Sequence, residues 1–186
     1  MGLCMSTCMS EHMSTWRAKR NLSALPISQC APHKWDNYRT IARVVKVYDG
    51  DTITVVFPFR FGAKEYMTTN IRILGIDTAE MHPSRAKSVF EREVEIKYAK
   101  LARIRLCELI GFDETITSAT DIMPDAQPVF VNLVLVKADK YGGRIVGEVF
   151  TSNGVNVAET LIAEHLAVEY DGGKKNDVIE TLRQYN

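Results

Sequence analysis

The sequence has no surplus of either charge: 23 Lys and Arg balance 23 Asp and Glu over 186 residues, for a formal net charge of zero. A protein that holds polyanions by bulk electrostatics is basic overall. That mode is excluded, and any contact with nucleic acid has to come from a local cluster. Cysteine is also scarce. Cys4, Cys8, Cys30 and Cys107 form no C-x-x-C pair, and three of the four lie in the first 30 residues. The pattern excludes a disulfide framework and a zinc knuckle, and it points to free thiols in an intracellular protein. His12, His33, His82 and His165 lack metal-ligand spacing and are expected to be structural or solvent-exposed. No stretch is long and apolar enough to span a membrane, and Met, Ser, Cys, Glu and His interrupt the N-terminus where a secretory signal would be continuous. What is present, 46% hydrophobic residues, suffices for one ordinary core plus a tail.

Residues 1–38 read as a flexible tail, because no period of 2 or 3.6 persists there. The pair Met-Ser recurs at Met5-Ser6, Met9-Ser10 and Met13-Ser14. The first six residues, Met1-Gly2-Leu3-Cys4-Met5-Ser6, satisfy the N-myristoylation pattern at Gly2, with Cys4 available for a second chain. Two acyl chains would tether the protein to a membrane, whereas one binds only marginally. The alternative is a chance match, or translation from a later Met.

Residues 39–186 read as one domain of strands around an inserted helix. β-Branched residues at 41–47 lead to Asp49-Gly50-Asp51, a tight-turn signal, and residues 52–57 return as the second strand. Residues 67–76 form a third apolar strand. From Pro83 to about Ile110 the pattern turns helical, with Val89, Val94, Ile96, Leu101, Ile104, Leu106 and Leu109 near helical spacing and Gly111 as the stop. A loop at 113–127 follows. Strands at 129–136 and 145–150 come next, joined through Lys140-Tyr141-Gly142-Gly143. A helix at 155–166 is capped by Asn153 or Asn156, and a short last helix starts near Asp177. This order suggests a small β-barrel with helices packed outside it.

Four polar clusters are candidates for chemistry. Asp49 and Asp51 flank Gly50 at a turn, either as a solvated corner or as an oxygen-rich seat for a hard cation. Asp77-Thr78-Ala79-Glu80 follows an apolar strand and could meet the first pair in space, supplying ligands and a base. Arg72 shares its strand face with Leu74 and Ile76, and a guanidinium among apolar groups is costly unless it meets an anion. The anion is either Glu80 or another carboxylate, or a substrate phosphate, and both can hold in turn. Asp139-Lys140-Tyr141-Gly142-Gly143-Arg144 reads as a polar hairpin, or as a second cation beside an aromatic face that suits a phosphate and a stacked base.

None of the four decides alone, but their order does. From about Ile41 to Lys175 the chain resembles the staphylococcal nuclease family. The resemblance is carried by Val47-Tyr48-Asp49-Gly50-Asp51-Thr52, the run Ile71 to Glu80, and His82-Pro83. Further on it is carried by Asp139-Lys140-Tyr141-Gly142-Gly143-Arg144 and by Val155 to Glu159 leading to Leu166-Ala167. It implies a five-stranded OB-type barrel with two to three α-helices, in an α+β fold. It also implies a calcium-dependent nuclease acting on DNA and RNA. The implied metal ligands are Asp51, Asp77 and the Thr78 carbonyl, with Asp49 in the outer shell. Glu80 corresponds to the general base or water-orienting carboxylate, Arg72 and Arg144 to the phosphate-binding pair, and Lys140 and Tyr141 to the nucleotide pocket. Ala79 replaces a common proline, and Gly143 inserts one residue before Arg144. The segment 169–175 departs from the tyrosine pair of the best-known secreted member.

The alternative is an OB-fold module that binds nucleic acid without cutting it. It is disfavoured because the acidic and arginine positions all survive. Nothing in the chain demands more than a monomer or an obligate protein partner.

Overall fold

The computed structural model describes residues 35–61, 64–113, 115, 127–139, 142–173 and 178–182. The acylation pattern at Gly2 and Cys4, the pocket residues Lys140 and Tyr141, and most of the loop after Asp113 lie outside the described residues.

Seven strands and three helices follow in chain order among the described residues: β1 (Tyr38–Val47), β2 (Thr52–Phe61), β3 (Lys64–Ile73), β4 (Ile76–Asp77), α1 (Val89–Ile110), β5 (Val129–Ala138), β6 (Arg144–Phe150), α2 (Val157–Ala163), β7 (Val168–Glu169) and α3 (Val178–Leu182). Five of the strands close a barrel in the order β1-β2-β3-β6-β5. All barrel pairings are antiparallel except β3 with β6, which runs parallel. A parallel neighbour cannot be reached by a tight turn, so the chain leaves β3, runs through α1 and β5, and re-enters at β6.

Strict alternation builds the core. Ile53, Val55 and Phe57 of β2, Ile71 and Ile73 of β3, and Val131, Leu133 and Leu135 of β5 point inward and are buried. Each such side chain contributes roughly 1.5–3 kcal/mol by leaving water. In β1 the register shifts between Val44 and Lys46, and the inward set runs Ala42, Val44 and Val47. That bulge changes the phase of the strand, so Lys46 and Tyr48 stay outside instead of turning into the core. Trp35 stacks edge-on to Phe57 at 6.3 Å and lies 5.4 Å from Phe59, which ties the chain just before β1 to the barrel.

The long helix begins at Val89 rather than Pro83, because Ser88 caps it. Its hydroxyl accepts from Glu91 N at 3.2 Å, and Glu91 Oε2 accepts from Ser88 N at 2.8 Å. Its buried face is Glu95, Ala99, Ala102, Leu106 and Cys107. Val89, Leu101 and Ile104, which the sequence spacing places among the apolar residues of that helix, are exposed. The cause is proximity. A methyl at Gly50 would stand 2.6 Å from the Ala102 Cβ, so only alanine-sized residues fit where α1 crosses the β1–β2 turn. The apolar strand read over residues 67–76 is divided in two: β3 ends at Ile73, a turn at Leu74-Gly75 follows, and β4 pairs separately with β7.

Candidate active site

The turn between β3 and β4 decides where Arg72 points. Along β3 the inward side chains are Ile71 and Ile73, so Arg72 lies on the outer face of the barrel. Leu74 lies in that turn and Ile76 beyond it, so the strand parity does not carry to them. Arg72 therefore avoids the apolar interior, and its partners stand at the barrel rim. Nη1 donates to Asp51 Oδ1 at 2.9 Å and Nη2 to Asp77 Oδ1 at 2.6 Å. The guanidinium fork thus joins the β1–β2 turn to β4. Both carboxylates are buried, at 3% and 2% exposure, so each needs this partner.

Asp51 is fixed from three further directions. Thr52 Oγ1 donates to Oδ1 at 2.9 Å, and the Thr78 backbone N–H and hydroxyl each donate to Oδ2 at 3.2 Å. Asp49 accepts from the Asp51 N–H at 3.2 Å, which folds the turn. Burial first, and then the Asp51 charge, push the Asp49 carboxyl up to about 7. Burial by itself would lower the Arg72 pKa, but the charges of Asp51, Asp77 and Asp49 and the hydrogen bond to Asp77 raise it. Three carboxyl groups thus gather around a single guanidinium, and the local balance is negative.

That surplus, on an oxygen-only donor set, fits a hard divalent cation. Among the described residues no three Asp, Glu, His or Cys side chains are grouped as metal ligands. A cation held between Asp51 and Asp77 would take its remaining ligands from backbone carbonyl and water.

The acidic corner opens on a cleft of about 680 Å³, lined by Tyr48, Asp49, Arg72, Glu80, Lys137, Asp139, Arg144 and Tyr170 among others. Glu80 and Arg144 share this cleft with Arg72, so it unites the three residues to which the resemblance gives catalytic roles. Arg144 opens β6 directly across from Asn70 of β3, and its Nη2 lies 2.7 Å from Asp139 Oδ2. The extra glycine before it is accommodated because Gly142 and Gly143 both take left-handed backbone, at φ 74 and 69.

Two contributors were not legible in the sequence. Tyr170 places its ring 6.0 Å from the Arg72 guanidinium carbon, and its N–H donates to the Gly75 carbonyl at 2.9 Å. Lys137 reaches the cleft because the β5 register shifts between Leu135 and Lys137. A lone tyrosine and a strand lysine carry no local motif, and only the β4–β7 pairing and the bulge bring them in.

A second, smaller packing cluster backs the acidic loop. Ala79, Ala99 and Ile179 are buried together, with Met81, Val94 and Tyr98 against them, so α1 and α3 hold the segment that carries Thr78 and Glu80.

No curated protein matches this chain. The family model described as Staphylococcal nuclease homologue matches residues 70–186, from within β3 to the C-terminus.

Proposed function

The chain belongs to the staphylococcal nuclease homologue family, and from that membership and the geometry of the cleft we propose that it is a calcium-dependent nuclease hydrolysing phosphodiester bonds of DNA and RNA. The observation that carries the proposal is the double engagement by buried Asp51 and Asp77 of Arg72, which lines the cleft together with Glu80 and Arg144.

Hydrolysis of a phosphodiester adds water oxygen to phosphorus, breaks one P–O ester bond and loads negative charge onto the non-bridging oxygens. Arg72 has five N–H donors, so it can keep its carboxylates and still offer donors to a phosphate. Arg144 supplies a second guanidinium. Fixed before the substrate arrives, the two favour the charge-rich transition state over the ground state. Glu80 orients the attacking water and accepts its proton, and the leaving oxygen is protonated from solvent. A divalent cation held by Asp51, Asp77 and the Thr78 carbonyl, with Asp49 through water, would add positive charge at the phosphate. Lys140 and Tyr141 are proposed to line the nucleotide pocket.

The test is cleavage of plasmid and single-stranded DNA and of RNA with calcium, magnesium or chelator. Wild type is run beside Arg72→Ala and Glu80→Gln. Calcium-dependent cutting is expected, reduced about 10²–10³-fold by either substitution, by analogy with loss of a single transition-state donor. A folded wild-type protein that binds oligonucleotides and cuts none of them would leave a binding module instead.

A further inference from the structure

In the run from Ile76 to Glu80 four residues are buried, and only Glu80 is exposed. Its two chain neighbours turn the other way. Ala79, at 2% exposure, is buried with Ala99 of α1 and Ile179 of α3, and Met81 packs against the same cluster beside Val94 and Tyr98. The backbone is therefore held on both sides of Glu80, and the carboxylate is the part left to line the cleft.

Residues 80–88 contain no strand or helix, and the far end of this segment is tied to the same helix as the near end. Lys87 Nζ donates to Glu95 Oε2 at 2.7 Å, and Glu95 is buried. Glu95 and Ala99 stand one turn apart on the buried face of α1, about 6 Å at ~1.5 Å per residue. One helix thus carries both anchors of the segment, but it does not complete the nearer one. That is done by α3, a helix of five residues, too short to hold its shape without tertiary packing. Of its buried residues Val178, Ile179 and Leu182, it is Ile179 that joins Ala79 and Ala99.

We propose that Ile179 is a positioning residue for the hydrolysis: it clamps Ala79 against Ala99 and so fixes the Glu80 carboxylate at its place in the cleft. A general base works within hydrogen-bond reach of the water it deprotonates, roughly 2.6–3.2 Å, so a backbone drift of about 1 Å is felt in the rate. Shortening Ile179 to alanine removes the wall on which Ala79 rests and leaves a cavity into which the backbone around Glu80 can relax. Arg72 and Arg144 stand on β3 and β6, and neither belongs to this cluster, so their hold on a phosphate is kept. The inference rests on the nuclease reading for the role of Glu80, and one arm of its test needs no cutting.

Amide hydrogen exchange over residues 78–82 is followed in wild type, Ile179→Ala and Ile179→Val, with β2 as the internal reference. For the same proteins kcat and KM are measured on an oligonucleotide with calcium, below each melting temperature. Glu80→Gln is measured too, alone and combined with each Ile179 substitution. Ile179→Ala is expected to speed exchange around Glu80 and to lower kcat about tenfold, with KM changed less than about twofold. Ile179→Val should lose about two- to threefold, and it carries the test if the alanine variant does not fold. On Glu80→Gln, either Ile179 substitution should cost less than about twofold more, because the group it positions is already disabled. Equal losses in the two backgrounds overturn the proposal, as does a loss carried by KM alone or exchange over 78–82 that rises no more than in β2. If wild type cuts nothing while exchange rises locally in Ile179→Ala, the nuclease reading falls and the clamp on Glu80 stands.

Discussion

At Arg72 a lysine would keep the charge and lose the fork. The guanidinium reaches Asp51 and Asp77 with different nitrogens, at 2.9 and 2.6 Å, whereas a single ammonium cannot hold both in those places. Arg72→Lys is therefore expected to reduce cleavage about 10²-fold while leaving the protein folded. Arg72→Ala leaves two buried carboxylates without their cation and should cost about 3–5 kcal/mol of stability. Because calcium would take over that neutralisation, added calcium should raise the melting temperature of Arg72→Ala more than that of wild type. Equal shifts in the two proteins would show that Asp51 and Asp77 do not bind the ion. The sequence marks Arg72 as a guanidinium in an apolar strand that must find an anion, with Glu80 or another carboxylate as its partner. It does not say which carboxylates, and the structure supplies Asp51 and Asp77.

The contact between α1 and the β1–β2 turn sets the position of the acidic corner. Ala102 of the helix approaches Gly50 so closely that a Cβ there would lie 2.6 Å from its methyl and 3.0 Å from the Thr78 side chain. Both neighbours matter, since Thr78 also donates to Asp51. Gly50→Ala should cost about 1–3 kcal/mol by overpacking, despite the entropy it removes from the unfolded chain. It should also lower kcat more than Gly142→Ala, whose left-handed residue meets no neighbour. Matching melting temperatures for wild type and Gly50→Ala would remove this account of the helix docking. The existence of the helix is readable from spacing and from Gly111, but its buried face is not. Two alanines and a glutamate give a weak apolar signal, while Leu101 and Ile104, on the exposed side, give a strong one.

For the whole molecule, the acidic surplus couples stability to pH. Burial and the neighbouring Asp51 charge push the Asp49 carboxyl up to about 7, from 3.8 for an ordinary aspartate. A raised carboxyl favours the folded state most below its unfolded pKa, and that contribution is lost as pH climbs through about 7. In chelator, the melting temperature of wild type should therefore fall between pH 5 and pH 8 relative to Asp49→Asn. Calcium should close the gap and release protons as it binds. Parallel pH profiles for the two proteins in chelator would contradict the burial of Asp49 beside Asp51.

Sequence by itself determined the barrel strands, the turn residues and the order of the polar clusters. These are local matters: alternation in β2 and β5, Asp-Gly at a turn, Gly111 at the end of the long helix. Tertiary structure decided what those letters face. A bulge in β1 keeps Lys46 and Tyr48 outside, a turn after Ile73 sends Arg72 to the rim, and the β4–β7 pair carries Tyr170 across it. Register is set by closure of the barrel, which satisfies every strand at once. No window of neighbouring residues contains that condition, and so the cleft became legible only in three dimensions.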